Sequence, residues 1–141
     1  MMDERMLEIR DFQGQGYKPL VDFGEWRVAM LRYLDDIQPD QINTMERHLG
    51  SDEVFVLLRG KGVLILGETG PRIEGIFPQI MEQGIIYNIK QGTWHTILLS
   101  RDASVLLVEN RDVDVHNSEY SQLTTEQRRL IFEKSIEEKI E

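Results

Sequence analysis

The sequence contains no cysteine. That absence removes disulfide stapling, thiolate zinc sites and a cysteine nucleophile together. Long apolar runs are missing as well. The longest, Val54 to Leu58, Val63 to Leu66 and Val105 to Val108, are four or five residues, against the roughly 20 needed to span a bilayer. Basic residues are the minority sign, 16 against 25 acidic, for a formal charge of −9. Such a chain repels phosphate backbones and anionic lipid on average, so neither nucleic acid nor a membrane is expected as a partner. The two basic clusters, Arg59-Gly60-Lys61 and Arg128-Arg129, read as solvated turn and helix surface. No Gly-x-x-x-x-Gly-Lys-Ser/Thr phosphate loop and no Gly-x-Ser-x-Gly elbow is present, and Gly60-Lys61-Gly62 lacks the strand-loop-helix setting that cradles phosphate. The start, Met1-Met2-Asp3-Glu4-Arg5, lacks the basic and apolar stretches of a signal peptide, which predicts a soluble, cytoplasmic protein.

What is present alternates. With 141 residues the chain predicts one domain, 1–141, able to bury about 70% of its unfolded surface. Trp26 to Tyr33 has a two-residue period and predicts a strand ended by Asp35-Asp36 and Gln38-Pro39-Asp40. A further extended segment runs from Ile42 to His48. Val54 to Leu58 and Val63 to Leu66, split by the Gly-rich Arg59 to Gly62, predict a hairpin. The stretch from Gly67 to Gly84 is polar and broken by Gly70-Pro71 and Phe77-Pro78, a loop with room for one short strand. Ile85 to Ile89, Trp94 to Leu99 and Ser104 to Glu109 then follow at about ten-residue spacing, which predicts an all-β sandwich or barrel over roughly 20–115. At the end, Thr124 and Gln127 offer a capping box for a helix over roughly 124–140. Phe132, Ile136 and Ile140 recur every four residues and predict the face packed on the barrel or on a partner subunit.

The chemistry falls to few residues, since only three histidines exist: His48, His95 and His116. Glu46 and His48 share one strand face, and Glu53 opens the next strand on the same face as Phe55 and Leu57. A carboxylate on an apolar, inward face needs a metal ion, a histidine or an arginine as its partner. His95 shares its face with Ile97 and Leu99. Alone it suits a hydrogen-bonded core position as well as a ligand; together with His48 and Glu53 the ligand reading gains. Two imidazoles and one carboxylate leave open positions for water, oxygen or substrate and suit Fe(II), though not Fe(II) alone. Glu46 is either a fourth ligand, a general base, or a solvated group on the rim. Tyr33, Tyr87, Asn88 and Gln91 are expected to flank His95 or to pack. Trp94 and the methionines Met30, Met45 and Met81 read as packing. His116, after the last barrel strand, is expected to stay outside the ligand set.

These residues resemble a known family. His48, four residues, Glu53, six residues and Gly60 is similar to the first cupin motif from its second histidine onward. Gly84, then Gly92 eight residues on, then His95 after two more, is similar to most of the second, and the 23 residues from Lys61 to Gln83 fit the spacer between them. The chain departs from the pattern at Asp40 for the first motif's glycine, Glu46 for its first histidine, Lys90 for the second motif's proline and Leu99 for its asparagine. The resemblance implies a jelly-roll barrel of the double-stranded β-helix type with its site inside the mouth. It also implies a divalent transition metal (Fe, Mn, Zn or Ni), a small oxygenated metabolite such as a sugar or a keto or hydroxy acid, and a homodimer. The expected chemistry is of isomerase, lyase or oxygenase type, with metal-free metabolite binding or a structural dimeric barrel as the alternatives.

Overall fold

A computed structural model describes residues 3–113 and 116–140; Met1, Met2, Asp114, Val115 and Glu141 lie outside the described residues. Ten strands and one helix follow in order. They are β1 (Gly16–Phe23), β2 (Trp26–Arg32), β3 (Thr44–His48), β4 (Glu53–Arg59), β5 (Gly62–Leu66), β6 (Phe77–Ile80), β7 (Ile86–Ile89), β8 (His95–Leu99), β9 (Ser104–Asn110), β10 (Ser118–Gln122) and α1 (Thr125–Glu137). They form two five-stranded antiparallel sheets. The first has the order β1-β2-β9-β4-β7 and the second β10-β3-β8-β5-β6.

The alternation read from the sequence is what fills the space between the sheets. Glu53, Phe55 and Leu57 of β4 are buried, and so are Val105, Leu107 and Glu109 of β9. With Leu64, Ile97 and Leu99 from the opposite sheet, the apolar members of these rows form one core. The second sheet is covered on its other face too. There Met45, Val63, Ile65, Trp94 and Leu98 pack with Leu123, Ile131 and Ile140 of the helical end. This double burial explains why β5 and β8 read as unbroken apolar runs rather than as alternating strands. The turn between β4 and β5 fixes its glycine: Gly60 has φ +77°, and a Cβ there would come within 2.7 Å of the Ala103 Cα.

Three expectations change. β1 and β10, at the edges of the two sheets, were not foreseen, because Pro19 and Lys18 in one and Ser118-Glu119-Tyr120-Ser121-Gln122 in the other carry no apolar rhythm. The β3 strand begins only at Thr44. The capping box is present, with Gln127 N–H donating to Thr124 Oγ1 at 3.1 Å and Thr124 N–H to Gln127 Oε1 at 2.9 Å. The buried face of α1, however, is Ile131 and Ser135, while Phe132 and Ile136 are exposed. Ile140 is buried by another route. Lys139 turns left-handed at φ 58°, and the Ile140 N–H donates back to the Ser135 carbonyl at 2.8 Å, folding Ile140 under the helix end. A strict four-residue count through a helix end misses that reversal.

Candidate metal centre

A cavity of about 570 Å³ opens between the sheets, and Glu46, His48, Glu53 and His95 all line it. Cross-strand register brings them together. Glu46 of β3 stands directly opposite His95 of β8. Glu53 enters from the facing sheet at the start of β4, just after the Gly50-Ser51 turn. Gly92, at φ +81°, donates its N–H to the His48 carbonyl at 2.8 Å and so ties the turn before His95 to β3.

Two carboxylates, one from each sheet, approach the same pair of imidazoles. Glu53 Oε1 lies 3.4 Å from His48 Nε2 and 3.3 Å from His95 Nε2. Glu46 Oε1 lies 3.8 and 3.9 Å from the same two nitrogens. Ligands at about 2.0–2.2 Å from one ion stand roughly 3–3.6 Å apart, so the Glu53 contacts match and the Glu46 contacts are slightly longer. Glu46, His48 and His95 form a group with all ligand atoms within 4.8 Å of one another, and Glu53 stands outside that group while touching both imidazoles. The imidazoles are set for this role. His95 Nδ1 is 2.9 Å from the Thr93 carbonyl, which can only accept, so Nδ1 carries the proton. His48 Nδ1 is 2.8 Å from Ser118 Oγ of β10. Both Nε2 atoms are buried without a hydrogen-bond partner. A buried nitrogen lone pair left over while its ring is held by the other nitrogen is the usual environment of a metal-binding histidine. The residues therefore fit a divalent ion.

The facing sheet adds groups that the sequence reading passed over. Glu109 of β9 is buried and lines the cavity. Tyr17 of β1 donates a short hydrogen bond to it. Burial, and then Glu53 beside it, push the Glu109 carboxyl up to about 8. Burial raises Glu53 too, but the His48 and His95 imidazoles beside it outweigh that and hold Glu53 ionised well below the usual carboxylate range. Burial pulls His48 down, yet Glu53 wins and its net shift is upward. Of the two carboxylates, Glu109 is the one whose surroundings favour the proton. Glu109 shared the signal that singled out Glu53, a carboxylate two and four residues from buried apolar side chains.

Several flanking expectations are corrected. Tyr33, Tyr87, Asn88 and Gln91 do not line the cavity. Tyr33 is buried with the Arg101 guanidinium 4.7 Å over its ring. The Tyr87 hydroxyl accepts from the Glu82 N–H at 2.8 Å. Asn88 and the Gln91 N–H hold the Asp52 carboxylate, at 3.1 and 2.7 Å, and Lys90 pairs with it at 2.8 Å. The tyrosines of the cavity are Tyr17 and Tyr120, both from the unforeseen edge strands, and Tyr120 lies opposite Glu46 in register. His116 also lines the cavity. Trp94, Met45 and Met81 are buried in packing as expected.

The sequence matches no family model and no curated protein. Solved structures do match. A cupin-2 domain protein from Shewanella frigidimarina superposes with a TM-score of 0.53 at 14% identity, covering 71% of this chain and 85% of that one. Pac13 of Streptomyces, a nucleoside dehydratase, gives 0.52 at 11% identity over 82% of this chain and 86% of its own. HppE in its Fe(II) form gives 0.51 at 16% identity over 67% of this chain and 48% of its own. No helix among the described residues is long and apolar enough to cross a membrane. With two antiparallel sheets closing around a His/Glu-lined cavity, and with these structures as its neighbours, the chain has the cupin fold.

Proposed function

We propose that this protein is a metal-dependent cupin enzyme acting on a small oxygenated metabolite, by isomerase, lyase or oxygenase type chemistry. His48, His95 and Glu53 are its metal ligands, and Glu46 is the fourth ligand or the general base. The observation that carries this reading is the pair of buried, unpartnered Nε2 atoms on imidazoles already fixed through Nδ1. Two nitrogens and two carboxylates favour Mn(II) or Fe(II) over Cu. A divalent ion bound there supplies Lewis acidity to a chelating substrate oxygen. The chain's own contributions are separate. Glu46, the most exposed of the four at 37%, is the carboxylate able to take a proton from a substrate hydroxyl or carbon. Phe55, Ile97 and Leu107 exclude water from the floor of the cavity.

The test is elemental analysis of untagged protein that has never met a chelating resin. About one equivalent of metal, lost in His48→Ala, is expected. A second reading, a metal-free metabolite-binding cupin, draws on the Glu53 distances, since 3.3 and 3.4 Å also suit a carboxylate paired directly with an imidazolium. Protein that holds no metal, and takes up none when Fe, Mn, Zn and Ni are offered, would select that reading over the first.

A further inference from the structure

One cationic side chain in the cavity has no part in the chemistry above. Arg27 of β2 is the only lysine or arginine lining it among the described residues. It sits on an interior row that crosses the first sheet: Asp22 of β1 pairs in register with Arg27, and Arg27 with Glu109 of β9. Since Val108 faces Val54, Glu53 stands one strand further along. Arg27 and Glu53 are thus separated by two strand spacings, roughly 10 Å.

The guanidinium is both oriented and incompletely used. Asp22 accepts from its Nε and Nη2 at 2.7 and 3.2 Å, which fixes its plane. That engages two of the five N–H donors a guanidinium carries, and the Tyr17 hydroxyl stands beside the group as a further polar neighbour. Asp22 is also reached by Arg111 at 3.7 Å, so one carboxylate is divided between two guanidiniums. Glu109, the other acidic neighbour, is occupied by Tyr17. The Arg27 side chain is only 19% exposed, so water screens its charge less than at an open surface. The cavity is therefore polarised, with carboxylates and imidazoles at one end and a preset guanidinium at the other.

From this geometry we infer that Arg27 is an anion anchor, and that the substrate carries a carboxylate or phosphate group at the end remote from the oxygens that meet the metal site. The inference rests on the proposed metal reading for the position of the reacting end, and it narrows the substrate class from oxygenated metabolites in general to acids or phosphate esters. A planar guanidinium held by one carboxylate with donors left over is suited to a second, bidentate oxyanion.

The experiment is calorimetric titration of the metal-loaded full chain with butyrate, with the dicarboxylates succinate, glutarate and adipate, and with 4-phosphonobutyrate. Butyrate carries only the group that meets the metal; the others add an anionic tail. The best-fitting tailed ligand is expected to bind at least about tenfold more tightly than butyrate. That advantage should fall to within about twofold in Arg27→Gln, with metal content and butyrate affinity unchanged. A dicarboxylate preference marks the natural ligand as a carboxylic acid, and a phosphonate preference marks it as a phosphate ester. If no tailed ligand exceeds butyrate, or if the advantage survives Arg27→Gln, the anchor is overturned. Should Arg27→Gln fail to fold, Arg27→Lys serves in its place: it keeps one positive charge but not the planar two-donor fork, so the tail advantage must fall, and an undiminished advantage would overturn the assignment. Metal content is read separately. Protein that binds no metal sinks the enzyme reading, while the tail advantage is then measured on the metal-free chain and still decides the anchor.

Discussion

The two sheets face one cavity but treat their polar groups differently. The second sheet supplies both imidazoles, and each ring is fixed by a neutral partner, Ser118 Oγ for His48 and the Thr93 carbonyl for His95. The first sheet supplies a row of charges, Asp22, Arg27, Glu109 and Glu53, in which two carboxylates sit side by side and one takes the proton. Their outer faces differ as well, because α1 covers the second sheet and leaves the first uncovered. One half thus packs on both faces and holds its imidazoles by neutral hydrogen bonds, and the other sets a row of charges beside the apolar core it shares. A buried polar group can be satisfied without an ion only where its partners are complementary. In the second sheet the Nδ1 atoms have hydrogen-bond partners and the buried Nε2 atoms have none, an asymmetry that suits a metal ion.

The largest way to break this comparison is at the imidazole-bearing sheet. His95→Ala is expected to take bound metal from about one equivalent to none while leaving circular dichroism and cooperative unfolding in place; metal retained at full occupancy would contradict His95 as a ligand. Next, Ile131→Ala removes a fully buried side chain from under the second sheet and should cost about 2–5 kcal/mol by denaturant unfolding. Phe132→Ala, one residue on and 42% exposed, should cost well under about 1 kcal/mol. Equal costs would show that the helix packs by the other face. Ser118→Ala leaves the ligands in place and frees the His48 ring, so metal affinity should fall about 10–100-fold with little change in stability, and Ser118→Thr should restore most of it.

The smallest effect sharpens the electrostatic half. Glu109 binds its proton more tightly folded than unfolded, so in the chain without metal its contribution is complete below about 4.5 and is lost as pH rises through about 8. His48, raised in the fold, works in the same direction above its ordinary value of 6.5. Glu53, lowered in the fold, contributes above about 4.5 and is lost in acid. Melting temperature in chelator-stripped protein is therefore expected to peak near pH 5 and to decline toward pH 9. Glu109→Gln should flatten the alkaline decline, and an unchanged profile in that variant would remove the Glu109 proton from the account.

Much of the site was legible because it obeys a short-range rule. Strand period two places Glu53 with Phe55 and Leu57, and His95 with Ile97 and Leu99, so a titratable group at the head of an apolar face announces itself. Glu109 follows the same rule with Val105 and Leu107. Tyr17, Tyr120 and Ser118 do not. They lie on edge strands whose sequences are polar or carry proline, since an edge strand need bury little and is free of the apolar rhythm that marks a central one. Arg27 was equally silent, because nothing in its neighbours along the chain says that Asp22 and Glu109 will flank it.

The sequence by itself determined the barrel class, the central strands, the capped start of the terminal helix and three of the four converging side chains as inward groups. Periodicity and turn chemistry act over a few residues and can be read without the fold. Only the tertiary structure decided that Glu46 faces the cavity opposite His95, that Glu109 stands beside Glu53, that Arg27 reaches the same cavity, and that Ile131 rather than Phe132 is the buried residue of the helix. Each of these depends on register between strands distant in sequence or on a chain reversal, and cross-strand register is fixed by the packing of the whole barrel rather than by any local run of residues.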